Sequence, residues 1–151
     1  MIPDLHIVCP HCDAINRVPR DRPAAGGRCG QCRERLFDGR PAALDAARFQ
    51  RHLEKSGVPL LVDFWAAWCG PCRMMAPEFE HAAALLEPAV RLVKVDVDAA
   101  PEAAARFHVQ SIPTLVLAFH GRELARVAGA RSAAQLVGWA KGELARARLD
   151  T

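Results

Sequence analysis

The sequence has no long hydrophobic run. Its longest apolar stretch, VPLLVDFWAAW, is short and contains Asp63, whereas a membrane-spanning helix needs about 18 to 20 apolar residues. The first residues, MIPDLHIVCPHC, lack a basic region followed by an apolar region, so no secretory signal is predicted. We therefore expect an intracellular protein located in the cytoplasm, without a membrane-spanning segment.

A strong excess of positive charge is also missing. The net charge is +3 over 151 residues, and residues 1–40 contain seven Arg, no Lys and five acidic residues. Neither this segment nor the remainder has the basic excess that is typical of a nucleic-acid-binding surface. With 51% hydrophobic and 25% charged residues, the composition indicates one globular domain, alone or with a small appendage.

Cysteine shows the most informative pattern. The chain has six cysteines, all in C-x-x-C pairs: CPHC from Cys9 to Cys12, CGQC from Cys29 to Cys32, and CGPC from Cys69 to Cys72. Structural disulfides are uncommon in a reducing cytoplasm, where paired thiols more often bind metal or take part in redox reactions. The cysteines therefore indicate zinc binding together with redox chemistry.

Two regions differ in their sequence pattern. Residues 1–37 contain four cysteines and several turn signals, and a segment this small needs a staple such as a metal in order to fold. Residues 38–151 alternate between helical and strand patterns. The first helix is LDAARFQRHLEKSG, with Asp45 as its predicted N-cap, and the strands VPLLVDFWA and VRLVKVDVD follow. A hairpin through TLVLAFHGRELARVAG is predicted to turn at His120, Gly121 and Arg122, and SAAQLVGWAKGELARARL forms the last helix. This α/β pattern predicts a mixed central sheet with helices on both faces.

Cys69 is predicted to begin a helix that runs to about Leu86. Unpaired N–H groups and the helix dipole at that position favour a thiolate, which is the attacking species in thiol–disulfide exchange. Cys72 would lie one turn inside the helix, more buried and placed to resolve a mixed disulfide, and Pro71 restricts the turn between them. The alternative is half of a second metal site, which needs two further ligands. None remain if the other four cysteines bind one ion.

Three stretches resemble the thioredoxin family. VDFWAAWCGPCRMMAP resembles its active-site signature, SIPTLVLAFHGRE its cis-proline loop and hairpin, and VKVDVD its third strand. The similarity covers about residues 41–148, and the preceding cysteine pairs make the whole chain similar to the thioredoxin-2 type, which has an N-terminal zinc-binding extension. The resemblance implies a thioredoxin fold preceded by a zinc-ribbon-like segment, and a protein-disulfide reductase that uses Cys69 and Cys72.

Asp63 lies inside an otherwise apolar strand, where burial should raise the pKa of its carboxyl group. The resemblance implies that this carboxylate assists deprotonation of Cys72; the alternative is a structural aspartate that caps a local turn. Lys94 matches a family lysine near that aspartate, although from the sequence alone it could equally be a solvated residue at a strand edge.

A further set of residues is implied to contact the substrate. X–Pro bonds are cis in only about 5–6% of cases, but the resemblance implies that the Ile112–Pro113 bond is cis and packs against the active-site cysteines. The backbone of Ile112 would then pair with an extended substrate segment. The remaining residues assigned to the groove are Trp68, Gly70, Pro71 and Gly129. Trp68 could instead serve ordinary packing, and Gly129 could be only a turn glycine.

The N-terminal cysteines have the spacing of a zinc site. Sixteen residues separate the two C-x-x-C pairs, as in Cys₄ sites that hold one structural Zn²⁺ tetrahedrally. The predicted ligands are Cys9, Cys12, Cys29 and Cys32. His6 and His11 are possible substitute ligands. Two local disulfides or a second dithiol redox centre are the alternatives, and release of zinc on oxidation is a further hypothesis.

No G-x-G-x-x-G element is present, so we expect no directly bound nicotinamide or flavin. The resemblance implies reduction by an NADPH-dependent thioredoxin reductase, and clients such as oxidised peroxiredoxins, ribonucleotide reductase and methionine sulfoxide reductases. No nucleic-acid or membrane partner is expected, and the default state is a monomer. One alternative is an oxidase or isomerase of secreted proteins. Another is a zinc-ribbon binding module or redox-regulated chaperone that uses the thioredoxin domain as a scaffold.

Overall fold

The computed structural model describes residues 4–148. Its strands are β1 (Leu5–Val8), β2 (Ile15–Val18), β3 (Ala42–Ala43), β4 (Leu60–Trp65), β5 (Arg91–Asp96), β6 (Thr114–Phe119) and β7 (Arg122–Ala128). Its α-helices are α1 (Ala46–Lys55), α2 (Gly70–Leu86), α3 (Pro101–Arg106) and α4 (Ala133–Arg146). None of the helices in the described range is both long and apolar enough to cross a membrane. The predicted last helix reached Leu149, which lies outside the described residues.

The main sheet has the strand order β3-β5-β4-β6-β7. Strands β3, β4 and β5 are parallel to one another. Strand β6 runs antiparallel to β4, and β7 runs antiparallel to β6. The predicted mixed sheet is therefore confirmed. The predicted turn of the last hairpin is one residue too long, because Arg122 already begins β7 and only His120 and Gly121 connect the strands.

Strand β4 is covered on both faces, which explains its nearly continuous apolar sequence. Val62 and Phe64 pack in one cluster with residues of α1 and α3, whereas Leu61 packs in a second cluster with residues of α2 and α4. Because successive side chains of a strand alternate between its faces, Asp63 lies on the same side as Leu61. A carboxylate is thus placed between the sheet and α2.

Side-chain caps fix where the long helices begin. The carboxylate of Asp45 accepts a hydrogen bond from the backbone N–H of Arg48 at 2.8 Å, so the predicted N-cap of α1 is confirmed. Ser132 and Gln135 form a reciprocal capping box at the start of α4, an arrangement that satisfies two otherwise unpaired N–H groups. Helix α2 contains Pro77 in its interior, and its N-cap is Cys69 itself.

The N-terminal segment packs directly against the larger domain. Its strands β1 and β2 form an antiparallel hairpin that the sequence did not predict. Leu36 and Phe37 share a buried apolar cluster with Val58, which precedes β4. The backbone N–H of Gly57 donates to the carbonyl oxygen of His6 at 2.7 Å. The two regions therefore form a common core.

A polar contact anchors the first cysteine pair to α1. Asp13, next to Cys12, accepts hydrogen bonds from Arg48 Nε at 2.8 Å and Arg48 Nη2 at 3.0 Å. The same carboxylate lies 2.9 Å from Nε2 of His52, which is fully buried. His52 thereby joins this contact between the two regions.

Candidate redox site and zinc site

Cys69 and Cys72 lie at the junction of β4 and α2, at the carboxyl end of a central strand. They form a disulfide with a Cα–Cα distance of 5.2 Å. The Sγ atom of Cys69 accepts a hydrogen bond from the backbone N–H of Cys72 at 3.2 Å. Both side chains are nearly buried, with 6% of Cys69 and 2% of Cys72 exposed. A negative charge on Cys69 would therefore face unpaired N–H groups of α2.

The loop before β6 lies against this pair. The Ile112–Pro113 bond is cis, as the resemblance implied, and the carbonyl oxygen of Ile112 is 3.8 Å from Sγ of Cys69. Gly129, at the end of β7, donates from its backbone N–H to the carbonyl oxygen of Pro113 at 2.9 Å. Its φ of +95° is a conformation that glycine adopts without strain. Gly129 thus supports the loop through its backbone.

An open cleft of about 500 Å³ lies beside the cysteines. The sequence-predicted residues that line it are Trp68, Cys69, Gly70, Pro71 and Ile112. Pro113 and Gly129 do not line it. The indole of Trp68 is 69% exposed, and its Nε1 donates to Oδ2 of Asp98 at 2.8 Å. An exposed tryptophan held at one edge by a hydrogen bond offers a fixed apolar surface to a partner.

Five further lining residues were missed by the sequence analysis: Val97, Ala104, Val109, Gln110 and Ser111. The last three precede Ile112 in the chain, so proximity to the predicted loop could have identified them. Val97, just after β5, packs against the cluster that contains Cys69 and Ile112, and Ala104 lies on α3; no local sequence pattern marks either residue.

Asp63 is buried without a hydrogen-bond partner. Only 1% of its surface is exposed, and neither carboxylate oxygen has a partner within the described residues. Burial raises the pKa of Asp63 to about 7, and the positive charge of Lys94 partly opposes that rise. Lys94 is paired with Asp63 across β4 and β5, but its Nζ lies 4.3 Å from the centre of the Trp65 ring. Asp63 can therefore exchange a proton near neutral pH.

The four N-terminal cysteines come together at one point. Their Sγ atoms all lie within 4.8 Å of one another, with Cys9–Cys32 and Cys12–Cys29 separations of 3.6 Å. Tetrahedral zinc with bonds of about 2.3 Å needs sulfurs about 3.8 Å apart, so this donor set fits Zn²⁺. His6 and His11 are not part of the cluster.

The two cysteine pairs fold as matching turns. Asp13 donates from its backbone N–H to the carbonyl oxygen of Cys9, and Arg33 does the same to Cys29, each at 3.0 Å. Both Asp13 and Arg33 have positive φ, at 65° and 70°. Asn16 links the two turns, because its amide nitrogen is 3.5 Å from Sγ of Cys29 and its oxygen accepts from Gly30. The two matching turns bring the sulfurs of both pairs to the same point.

The pKa values of the thiols differ within this four-cysteine cluster. Burial raises the pKa of Cys9 to about 12. Burial also acts against ionisation of Cys29, but hydrogen bonds from backbone N–H groups and from Asn16 outweigh it and lower the pKa of Cys29 to about 6. The cluster thus provides one readily formed thiolate in the absence of a cation, and a cation would favour ionisation of the rest.

Comparison with known families gives two matches along the chain. The family model described as Thioredoxin matches residues 40–142. A second, described as Thioredoxin 2, N-terminal, is a zinc-ribbon model and matches residues 8–34. The two matches follow each other in the order of the two regions described above.

Individual proteins show the same similarity. The chain is 43% identical over 138 residues to Thioredoxin C-3 of Corynebacterium nephridii, covering 91% of this chain and 94% of that protein. It is 44% identical over 91 residues to the bifunctional thioredoxin reductase/thioredoxin of Mycobacterium leprae, covering 60% of this chain and 20% of that protein. The solved structure of chloroplastic thioredoxin z superposes with a TM-score of 0.63 at 28% identity, covering 70% of this chain and 96% of that one.

Proposed function

The chain belongs to the thioredoxin family, and on that premise we propose that it reduces protein disulfides through Cys69 and Cys72. The class of activity, protein thiol–disulfide exchange, is that of its relatives. The observation that supports these two residues is their position at the N-terminus of α2, beside an open cleft and 3.8 Å from the loop before Pro113. In this proposal Cys69 is the nucleophile, Cys72 is the resolving thiol, and the cleft is the surface for the substrate.

The proposed reaction transfers two electrons to the substrate. The thiolate of Cys69 attacks one sulfur of the substrate disulfide, so that the substrate S–S bond breaks and one substrate thiolate leaves. Cys72 then loses its proton and attacks Sγ of Cys69, which forms the Cys69–Cys72 disulfide and releases the second substrate thiolate. Both substrate sulfurs take up protons, and the protein ends in the oxidised form.

Asp63 is proposed to accept the proton of Cys72. Its pKa of about 7 lies near physiological pH, where a general base is most effective. Lys94 is proposed as a positioning residue: it places a positive charge on the neighbouring strand, and its contact with the Trp65 ring holds that charge in place.

The cleft beside Cys69 is proposed to hold an extended segment of the substrate protein. The backbone of Ile112 would pair with that segment, while Trp68, Gly70 and Pro71 provide surface around the reacting sulfur. Pro113 and Gly129 act behind the cleft, since Gly129 holds the Pro113 carbonyl oxygen.

We propose that Cys9, Cys12, Cys29 and Cys32 hold one structural Zn²⁺. Four thiolates complete a tetrahedral site and leave no open position, so the ion would stabilise residues 1–37 and take no part in electron transfer. Residues 38–151 would form the catalytic domain.

Members of this family are reduced by thioredoxin reductase, and the Mycobacterium leprae relative joins both activities in one chain. We propose that an NADPH-dependent reductase of this kind recycles the Cys69–Cys72 disulfide, and that the protein acts as a cytoplasmic monomer. Oxidised peroxiredoxins, ribonucleotide reductase and methionine sulfoxide reductases are the proposed clients.

A coupled assay tests this function. Insulin reduction is followed as NADPH oxidation in the presence of a bacterial thioredoxin reductase, for the unaltered chain and for Cys69→Ser. We expect Cys69→Ser to abolish turnover, and Leu85→Ala, a change at an exposed position elsewhere on α2, to leave it unchanged. Full turnover by Cys69→Ser would refute the redox function and favour the scaffold alternative.

A further inference from the structure

A second and larger cleft, of about 660 Å³, lies where the zinc segment meets the catalytic domain. Its walls include Val18 and Pro19 of the zinc segment, Pro59 before β4, Pro88 before β5, and Phe119 at the end of β6. The volume is within the range of binding sites that enclose a ligand or a short peptide segment. Neither region forms this cleft alone.

The cleft lies at the opposite end of the sheet from the redox pair. Pro59 precedes β4 and Cys69 follows it, so the six residues of β4 separate the two sites by about 20 Å. Phe119 is at the same end as Pro59, because β6 runs antiparallel to β4 and Ala118 pairs with Leu60. A ligand in this cleft would not touch the reacting sulfurs.

Among the described residues, the charged side chains that line the cleft are all cationic. Three arginines, Arg20, Arg22 and Arg148, line the cleft, and none of the described lining residues is Asp or Glu. The guanidinium groups of Arg22 and Arg148 have no hydrogen-bond or ion-pair partner among residues 4–148. By contrast, Arg48 and Arg91 each have a carboxylate partner. Apolar walls with unpaired guanidinium groups at the rim suit a ligand that has both apolar side chains and carboxylates.

We propose that this cleft binds an acidic segment of a client protein, with an apolar side chain between its walls and carboxylates against Arg22 and Arg148. The inference rests on the proposed reductase function, because it gives the client a second attachment point away from Cys69. A client held at both sites would present its disulfide at a raised local concentration. The open cleft at a seam suits a chain segment, and the charge of Arg22 and Arg148 favours an acidic segment over a basic one.

The direct test uses a fluorescein-labelled peptide of alternating glutamate and leucine that contains no cysteine. Binding to the full zinc-loaded chain is measured by fluorescence anisotropy at low and at physiological salt. We expect saturable binding that Arg22→Ala/Arg148→Ala weakens at least about tenfold, since each variant position loses a charge-assisted bond. The control, Arg17→Ala/Lys141→Ala, removes the same charge from exposed residues outside the cleft, and Arg17 lies on the opposite face of β2 from Val18.

Three outcomes would overturn the proposal. Equal loss of affinity in the two double variants would show general charge attraction. Unchanged affinity when glycine replaces leucine in the peptide would show that the apolar walls do not contribute. Tighter binding of a single-stranded oligonucleotide of equal charge would assign the arginines to nucleic acid instead.

The test is independent of the reductase function. The peptide has no sulfur, so Cys69→Ser should bind it like the unaltered chain. A small aromatic disulfide such as 5,5′-dithiobis(2-nitrobenzoate) cannot span the two sites, and its reduction measures the redox pair alone. Loss of peptide binding in Arg22→Ala/Arg148→Ala supports the cleft, whereas normal peptide binding in a chain that reduces no small disulfide would contradict only the proposed redox function.

Discussion

The guanidinium group of Arg91 donates a hydrogen bond to the carbonyl oxygen of Leu36 at 2.8 Å, which joins β5 to the end of the zinc segment. Arg91 is only 2% exposed, and it also donates to the carbonyl oxygen of Val8 at 3.2 Å. Its counter-ion is Glu87, with Nη1 and Oε2 3.5 Å apart. The two regions are therefore connected through a buried charge, and removal of the zinc segment would leave Arg91 without these two hydrogen-bond acceptors.

The first prediction concerns this buried pair. Arg91→Met should lower the free energy of unfolding by about 3 to 5 kcal/mol, because Glu87 is left buried without its counter-ion. Arg91→Met/Glu87→Gln should recover part of that loss, since no charge remains buried and glutamine can still accept from Gly39, as Glu87 does now. Urea unfolding monitored by circular dichroism measures both. If the double variant were no more stable than Arg91→Met, the unpaired charge of Glu87 would not be the cause of the destabilisation.

The second prediction concerns the close approach of Gly57 to β1. A Cβ atom on Gly57 would lie 2.6 Å from the carbonyl oxygen of His6, so Gly57→Ala should force the backbones apart and cost about 1 to 3 kcal/mol. Gly142→Ala is the matched control, because a Cβ there meets nothing within 4 Å and alanine favours the helix by up to about 1 kcal/mol. The midpoint of thermal unfolding should thus fall for Gly57→Ala and rise for Gly142→Ala. A rise for both variants would contradict the close contact between Gly57 and the backbone of His6.

The third prediction concerns the metal. Native mass spectrometry of protein purified under mild reduction should show one bound zinc, and Cys29→Ser should lose it, because one of four ligands is removed. Cys69→Ser/Cys72→Ser should retain it. A metal-free chain with a mass reduced by the hydrogens of extra disulfides would instead make the N-terminal pairs redox-active.

The fourth prediction uses the raised pKa of Asp63. The pKa of the Asp63 carboxyl group is raised from 3.8 to about 7 in the folded protein. Its contribution to stability is therefore fully present below pH 3.8 and is lost as pH rises through about 7. As pH rises from 4 to 7, the unaltered chain should therefore lose free energy of unfolding relative to Asp63→Asn, by on the order of 4 kcal/mol in total. Asp21→Asn, at an exposed position, controls for the charge. A pH-independent difference would mean that Asp63 is not buried.

The same carboxyl group should govern one reaction step. In the unaltered chain, attack of Cys72 on the mixed disulfide should accelerate as pH rises through about 7, because ionised Asp63 accepts the proton. Asp63→Asn should slow this step on the order of 10²-fold while leaving formation of the mixed disulfide unchanged. Rapid acid quench followed by mass analysis separates the two steps. Equal slowing of both steps would indicate a structural role for Asp63.

Local patterns were sufficient to predict most of the catalytic domain from sequence. Asp45, the apolar run through β4 and the alternation in β5 each predict an element that the structure confirms. The position of Cys69 at the start of α2 followed from the strand before it and the helical pattern after it. These signals lie within a few residues of the feature they predict.

Other features depend on contacts between distant parts of the chain. Nothing near Arg91 in the sequence shows that its guanidinium is buried against Val8 and Leu36, and nothing near Asp13 predicts its contact with His52. The β1–β2 hairpin was missed because strands of only four residues on either side of a cysteine turn show little alternation. Val97, after β5, and Ala104, on α3, likewise line the substrate cleft only through tertiary packing.

The central claim is that Cys69 attacks and Cys72 resolves. The most direct measurement is the intact mass, without reductant, of Cys72→Ser and Cys69→Ser after incubation with a disulfide-linked peptide dimer. The account predicts that Cys72→Ser accumulates a covalent adduct of one peptide on Cys69, and that Cys69→Ser accumulates none. An adduct confined to Cys69→Ser, carried by Cys72, would reverse the two roles and contradict the account.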